Sequence, residues 1–130
     1  MQKKKTEIGR LGEDIACKFL MKHGYSIMDR NYRKKWGEID IVAERHNLTC
    51  FVEVKSVSGE INDSNVSYET DGYRPEDNVH SWKLKRLSRA IQTYILEKKV
   101  GGEWGFGVIT VKIDSNRRRA RVSFIDDIVL

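Results

Sequence analysis

Two runs of β-branched and apolar residues constrain the chain most: Glu38 to Glu44 and Thr49 to Ser56, separated by four residues. Their richness in Ile, Val and Phe predicts strands. A gap that short suits a hairpin, so an antiparallel pair is expected at the centre of the fold. Place a two-residue turn at His46-Asn47, where Asn tolerates the left-handed backbone. Ile39 then meets Val54, Ile41 meets Val52 and Ala43 meets Cys50 on one face. On the other face Val42 meets Phe51, Asp40 meets Glu53 and Glu38 meets Lys55. This register sorts both faces consistently, and a one-residue slip would not.

The register carries an electrostatic cost. Asp40 lies opposite Glu53, with Cβ atoms about 4.5–5.5 Å apart. Like charges facing each other destabilise a sheet, and charges inside apolar runs need partners. Two explanations stand on the residues alone. One is a strand-end charge network of Glu38, Asp40, Glu53 and Lys55 without catalysis. The other is a divalent cation, because carboxylate oxygens suit Mg²⁺, which takes one or two of them with water and phosphate. Lys55 shares the face of Glu53. It can pair with Glu38, orient a water or stabilise charge developing on a phosphate.

The rest of the chain supplies the frame. Residues 6 to 23 read as a helix with Ile8, Leu11, Ile15, Phe19 and His23 on one stripe, closed by Gly24 at C′. Tyr25 to Arg33 reads as a strand with Tyr25, Ile27, Asp29, Asn31 and Arg33 on one face. Residues 57 to 78 form a long acidic loop, and Val79 to Lys99 a second helix with Leu84, Leu87, Ile91, Tyr94 and Ile95 on its stripe. Trp104 to Ile113 and Arg119 to Ile125 are the last strands, joined by a turn at Asp114-Ser115-Asn116. One sheet covered by helices, an α/β or α+β domain, follows from this order.

Length bounds the architecture: 130 residues make one domain, 1–130, able to bury a core without staples. No apolar run is long enough to cross a bilayer, and no apolar h-region follows the basic start at Lys3-Lys4-Lys5. Cys17 and Cys50 lack metal-binding spacing, so reduced, buried thiols in a cytoplasmic protein are expected.

The net charge of +5 is unevenly spread. Residues 1–35 carry ten Lys/Arg against four Asp/Glu, residues 83–99 six against one, and residues 117–121 four Arg and no acid. Residues 56–78 carry six acids and one Arg. Basic segments interleaved with aromatics suit nucleic acid as a partner, and also suit a plain solvated surface. In the second helix Lys83, Arg86 and Arg89 share one side, as phosphate contacts or as a solvated face. His23, His46 and His80 have no catalytic spacing.

Several ordered motifs resemble one family. They are Gly9-Arg10-Leu11-Gly12-Glu13-Asp14-Ile15-Ala16, Gly24-Tyr25-Ser26-Ile27, and Arg30-Asn31-Tyr32-Arg33. Gly37-Glu38-Ile39-Asp40-Ile41-Val42-Ala43 and Phe51-Val52-Glu53-Val54-Lys55 follow. The series resembles the YraN-like family of bacterial proteins, within the restriction-endonuclease-like PD-(D/E)xK superfamily and similar to archaeal Holliday junction resolvases. The resemblance implies a restriction-endonuclease-like αβββαβ core, a mixed sheet flanked by helices. It implies Asp40 and Glu53 as ligands of Mg²⁺ or Mn²⁺, Lys55 as the catalytic lysine and Glu13 as a further acidic site residue. The implied activity is metal-dependent hydrolysis of phosphodiester bonds in nucleic acid, with DNA, including branched DNA, ahead of RNA. The rival is a nucleic-acid-binding module that keeps the fold without catalysis. Lys83, Arg86, Arg89 and Arg33 are the expected nucleic-acid contacts, and a homodimer would suit a two-fold junction. No proline precedes Asp40, and Val57 stands where the family usually carries Arg.

Overall fold

Thr6 opens the first helix, α1 (Glu7–Lys22). Its hydroxyl accepts the Gly9 N–H at 2.9 Å, satisfying one orphan donor of the first turn. Gly24, at φ 88°, takes the C′ position expected for it. The buried face is rotated from the expected stripe: Gly12, Glu13, Ala16, Cys17 and Leu20 are buried, and Leu11 is 46% exposed. The small residues set this orientation. A Cβ on Gly12 would overlap Ser56 Oγ and lie 2.8 Å from Ser56 Cβ, so only Gly allows this approach to the sheet.

The computed structural model describes residues 6–61 and 81–128. After α1 come β1 (Ser26–Lys34), β2 (Gly37–Arg45), β3 (Leu48–Ser58), α2 (Ser81–Glu97), β4 (Trp104–Asp114) and β5 (Arg119–Ile125). Most of the expected acidic loop, and residues 79–80 of the expected second helix, lie outside the described residues. The strands form one sheet in the order β1-β2-β3-β4-β5. Only β3 and β4 run parallel. The chain between them carries α2, as a parallel connection requires.

Each helix covers one face of the sheet. Ala16, Cys17 and Leu20 of α1 pack on Ile41, Ala43, Val52, Ile109 and Val111. Leu87, Ala90, Ile91 and Tyr94 of α2 pack on Ile39, Val42, Phe51, Phe106 and Val108. The expected mixed sheet flanked by helices is therefore present. Phe51 and Ile91 are fully buried, and each such side chain is worth about 1.5–3 kcal/mol.

Gly37 fixes how closely α2 can sit. A Cβ there would overlap the Arg86 carbonyl oxygen and lie 3.2 Å from Ala90 Cβ. The obstructing atom is helix backbone, so no rotamer relieves it. Gly37→Ala is expected to lower the thermal midpoint by several degrees, read by a melt, as α2 is forced off β2.

The single face expected for the first strand is not found. The ladder with β2 shifts between Ile27 and Asp29, and Asn31 adopts φ 53°. Ile27 therefore packs toward α1, while Asp29 accepts the Tyr94 hydroxyl at 2.6 Å. Burial and this bond push the Tyr94 phenol upward from its usual range. Arg30 turns back to Asp14 on α1 at 2.8 Å, and Tyr32 packs edge-on against Tyr94 on the α2 side.

At the far end of the sheet Asp114, 4% exposed, accepts the N–H groups of Ile61 at 3.1 Å and Arg117 at 3.2 Å. Arg117 donates in turn to Ile61 O and Glu60. These bonds, that of Ile61 first, hold the Asp114 carboxyl below its ordinary value of 3.8. A depressed folded value means stability that is complete above the unfolded value and lost as pH falls through the folded one. Asp114→Asn is expected to flatten the fall in thermal midpoint below that ordinary value, in melts across acid pH.

Candidate functional site

The central hairpin follows the expected register over part of its length. Ile41↔Val52, Val42↔Phe51 and Ala43↔Cys50 are paired, and His46 and Asn47 turn the chain at φ 52° and 63°. Beyond Ile41 and Val52 the expectation fails: Asp40 and Glu53 are not a cross-strand pair, and neither are Ile39 and Val54 or Glu38 and Lys55. Ile39 joins Val42 in the α2 core instead of sharing the face of Ile41. The cause lies in β1 and β2 together. Arg30 pairs with Ile41 and Tyr32 with Ile39, so Asn31, in its left-handed conformation, stands level with Asp40. Side-chain alternation changes phase there.

Asp40 occupies the break. Its Oδ2 accepts the backbone N–H of Val54 at 2.8 Å. A side-chain carboxylate thus receives a strand N–H, and it does so between Glu53 and Lys55. The two carboxylate residues stand on neighbouring strands, each one step past the last ladder pair.

The faces of β3 follow from its neighbours. Val52 and Val54 pack toward α1, and Gly12 of α1 meets Ser56. Phe51 packs toward α2, so Glu53 and Lys55 alternate onto that same face. Both are half-buried. In the parallel ladder Glu53 aligns with Val108 and Lys55 with Thr110. Asp40 therefore meets β3 at Val54, between Glu53 and Lys55 in sequence, just past the last β2–β3 ladder pair.

Glu13 approaches from the other side, on the turn of α1 that Gly12 sets against β3. It is 4% exposed, and its Oε1 lies 3.8 Å from Arg30 Nη2. A flanking solvated glutamate would not be buried beside a guanidinium. Among the described residues no three His, Cys, Asp or Glu side chains are grouped to hold a metal ion. Glu13 therefore does not form such a group with Asp40 and Glu53.

The expected nucleic-acid contacts serve the fold as well. Arg86 Nε donates to Trp36 O at 3.0 Å, and the Arg89 guanidinium lies 5.1 Å over the Trp36 ring. Both residues are exposed while bracing the β1–β2 turn. Arg33 Nε lies 3.4 Å from Glu38. The Lys83 side chain lies outside the described residues. Two residues were missed from sequence. Arg30 holds the α1 acids, and Asn31 has a buried Oδ1 without a hydrogen-bond partner among the described residues. An Asn inside a strand, where its type is depleted, was the available signal.

The fold is that of a mixed α/β domain, a five-strand mixed sheet with a helix on each face. Residues 12–121 match the model of the uncharacterised protein family UPF0102. The chain belongs to that family, which is the YraN-like family its motifs resemble. It is 35% identical over 127 residues to a UPF0102 protein of Campylobacter hominis, covering 98% of this chain and 97% of the relative. A UPF0102 protein of Campylobacter jejuni is 35% identical over 116 residues, 89% of this chain and 93% of that one. One from Thermotoga neapolitana is 40% identical over 93 residues, 72% and 76%. No helix among the described residues is long and apolar enough to cross a membrane.

Proposed function

We propose that the chain is a metal-dependent nuclease with a restriction-endonuclease-like core, acting on phosphodiester bonds of nucleic acid, DNA ahead of RNA. The observation that carries this is the Asp40 carboxylate seated on Val54 N–H, between Glu53 and Lys55. A carboxylate held in a parted sheet, with a second carboxylate and a lysine beside it, suits phosphate chemistry better than it suits packing.

The donor set fits a hard cation. Asp40 and Glu53 offer oxygens only, in the number Mg²⁺ or Mn²⁺ takes from protein when water and phosphate complete the shell. When bound, the cation supplies positive charge that polarises the scissile phosphate and eases loss of a proton from water. Asp40 and Glu53 would hold it. Lys55 holds the attacking water or balances charge building on the phosphate oxygens. Water oxygen bonds to phosphorus, the bond to the leaving sugar oxygen breaks, and that oxygen takes up a proton. Glu13, fixed by Arg30, adds negative potential behind the pair. Lys83, Arg86, Arg89 and Arg33 are proposed phosphate contacts at the helix side of the site.

A cytoplasmic location accords with the chemistry of Cys17 and Cys50. Both are free and buried. Burial raises both thiols, Cys50 to about 11, which keeps them unreactive. A homodimer remains the proposal for a two-fold junction substrate. The test is incubation of purified protein with branched, nicked and linear DNA and with RNA, with and without Mg²⁺ or Mn²⁺. Metal-dependent cleavage supports the proposal, and binding without cleavage supports the inactive module.

A further inference from the structure

Between the end of α2 and the turn of the β2–β3 hairpin lies a cavity of about 400 Å³, within the range of small-ligand sites. Its lining comes from described residues. Ile61 and Ser81, which flank the undescribed stretch, stand far from it. Ser81 is about 25 Å from Lys98 along α2, and Ile61 is bonded to Asp114 beyond the other end of β3. Phe51 faces α2, so Thr49 and its ladder partner Glu44 do as well. Thr49 is 7% exposed, lines the cavity, and its hydroxyl makes no hydrogen bond among the described residues. Glu44 is half-buried there and has no ion pair among the described residues. β1 contributes Met28. The ladder shift between Ile27 and Asp29 makes Met28 the extra residue of a bulge, 52% exposed at the cavity. Bulges re-aim side chains in this way beside functional sites. Lys98 and Lys99 close the other side, exposed and without ion pairs among the described residues. Lys99 holds φ 53° just past the end of α2, where glycine is usual, and Val100 N–H donates to Ile95 O at 3.0 Å to complete the cap. A lysine placed there at a conformational cost supplies a charge that glycine would not.

We propose that this cavity binds a nucleoside monophosphate whose base carries an amino group, with the phosphate on Lys98 and Lys99 and the amino group on Glu44 and Thr49. The assignment follows from charge and donor count. A phosphate monoester carries about −1.5 to −2 charges at neutral pH, which two lysines match. Glu44 then remains, and an ionised carboxylate only accepts hydrogen bonds. The exocyclic amino groups of adenine and cytosine donate to such a group, whereas a uracil-type base presents a carbonyl oxygen at that edge. The Thr49 hydroxyl gains the partner it lacks, which offsets the cost of burying it. Met28 and Val100 offer apolar contact to base and sugar, and Tyr94 lines the cavity between them. The Tyr94 hydroxyl is tied to Asp29 at 2.6 Å, so that part of the wall is preformed. Asp40 and Glu53 lie about 13 Å away along β2 and β3, and the proposal does not rest on the nuclease reading.

The experiment is calorimetric titration of the purified protein with AMP, CMP, UMP, adenosine and inorganic phosphate, in EDTA so that hydrolysis plays no part. AMP or CMP should bind about tenfold or more tightly than UMP, adenosine or phosphate, each of which lacks one matched group. Lys98→Gln/Lys99→Gln should weaken AMP by at least about tenfold and leave adenosine unchanged. Lys18→Gln/Lys22→Gln, which removes equal charge elsewhere, should change neither. Glu44→Gln should erase the preference for AMP over UMP, since an amide both donates and accepts. Thr49→Val should bind AMP more weakly and yet melt at or above the wild-type temperature, because it removes a buried hydroxyl that has no partner in the free protein. A threonine serving the fold alone would melt lower on that change and leave AMP affinity as it was. AMP, CMP and UMP bound alike, or phosphate bound as tightly as AMP, would overturn the nucleotide as occupant. No binding at millimolar concentration, or AMP affinity unchanged in Lys98→Gln/Lys99→Gln, would overturn the site. Either result leaves the nuclease proposal standing, since that is read from cleavage and from Asp40, Glu53 and Lys55.

Discussion

Asp40→Asn, Glu53→Gln and Lys55→Ala are each expected to slow metal-dependent cleavage by about 10²–10³-fold while leaving the fold intact. The three act on one event by different means. Asn and Gln keep the shape and one acceptor oxygen but remove the charge that holds a cation, so lost rate should be partly recovered at high Mn²⁺. Lys55→Ala removes a positive charge from the phosphate and should not recover with metal. That difference separates ligand from lysine and is read from cleavage rates across a metal titration. Glu13→Gln should cost less, because Glu13 is not grouped with the pair. Wild-type rates in all three main variants would show that any cleavage seen came from another protein.

Much of the frame was legible because it rests on local rules. The His46-Asn47 turn, the pairing from Ile41↔Val52 outward and Gly24 at the end of α1 follow from turn chemistry, side-chain period and the left-handed backbone. What was not legible is where a period breaks. Alternation assumes an unbroken ladder, and Asn31 interrupts it at the level of Asp40, so residues beyond Ile41 changed faces. The expected Asp40–Glu53 opposition fails for that reason. The buried face of α1 was legible in part: Ile8, Ile15 and Phe19 of the expected stripe pack against the core, the small residues Gly12 and Ala16 beside that stripe make the closest approach, and Leu11 is exposed instead of buried.

The break at Asp40 also changes what its substitution does to stability. If Asp40 and Glu53 share a metal site as proposed, their like charges oppose folding in the absence of metal, while acceptance of Val54 N–H favours it. Asp40→Asn removes the first and keeps the second, because the amide oxygen still accepts. That variant is expected to melt at or above the wild-type temperature in EDTA. Asp40→Ala removes both and leaves Val54 N–H without its acceptor, at a cost of about 1–3 kcal/mol, so it should melt several degrees lower. Mn²⁺ at about 100 times its Kd should add roughly 2.7 kcal/mol to wild type and nothing to either variant. If the carboxylates serve only a charge network, Asp40→Asn destabilises as well, and millimolar Mn²⁺ shifts none of the three. Melts of wild type and both variants, in EDTA and in Mn²⁺ at fixed ionic strength, decide between these outcomes. A wild type unmoved by Mn²⁺ with a clearly destabilised Asp40→Asn would sink the metal site. A weak response to Mg²⁺ alone would not, because substrate phosphate completes the shell of that ion.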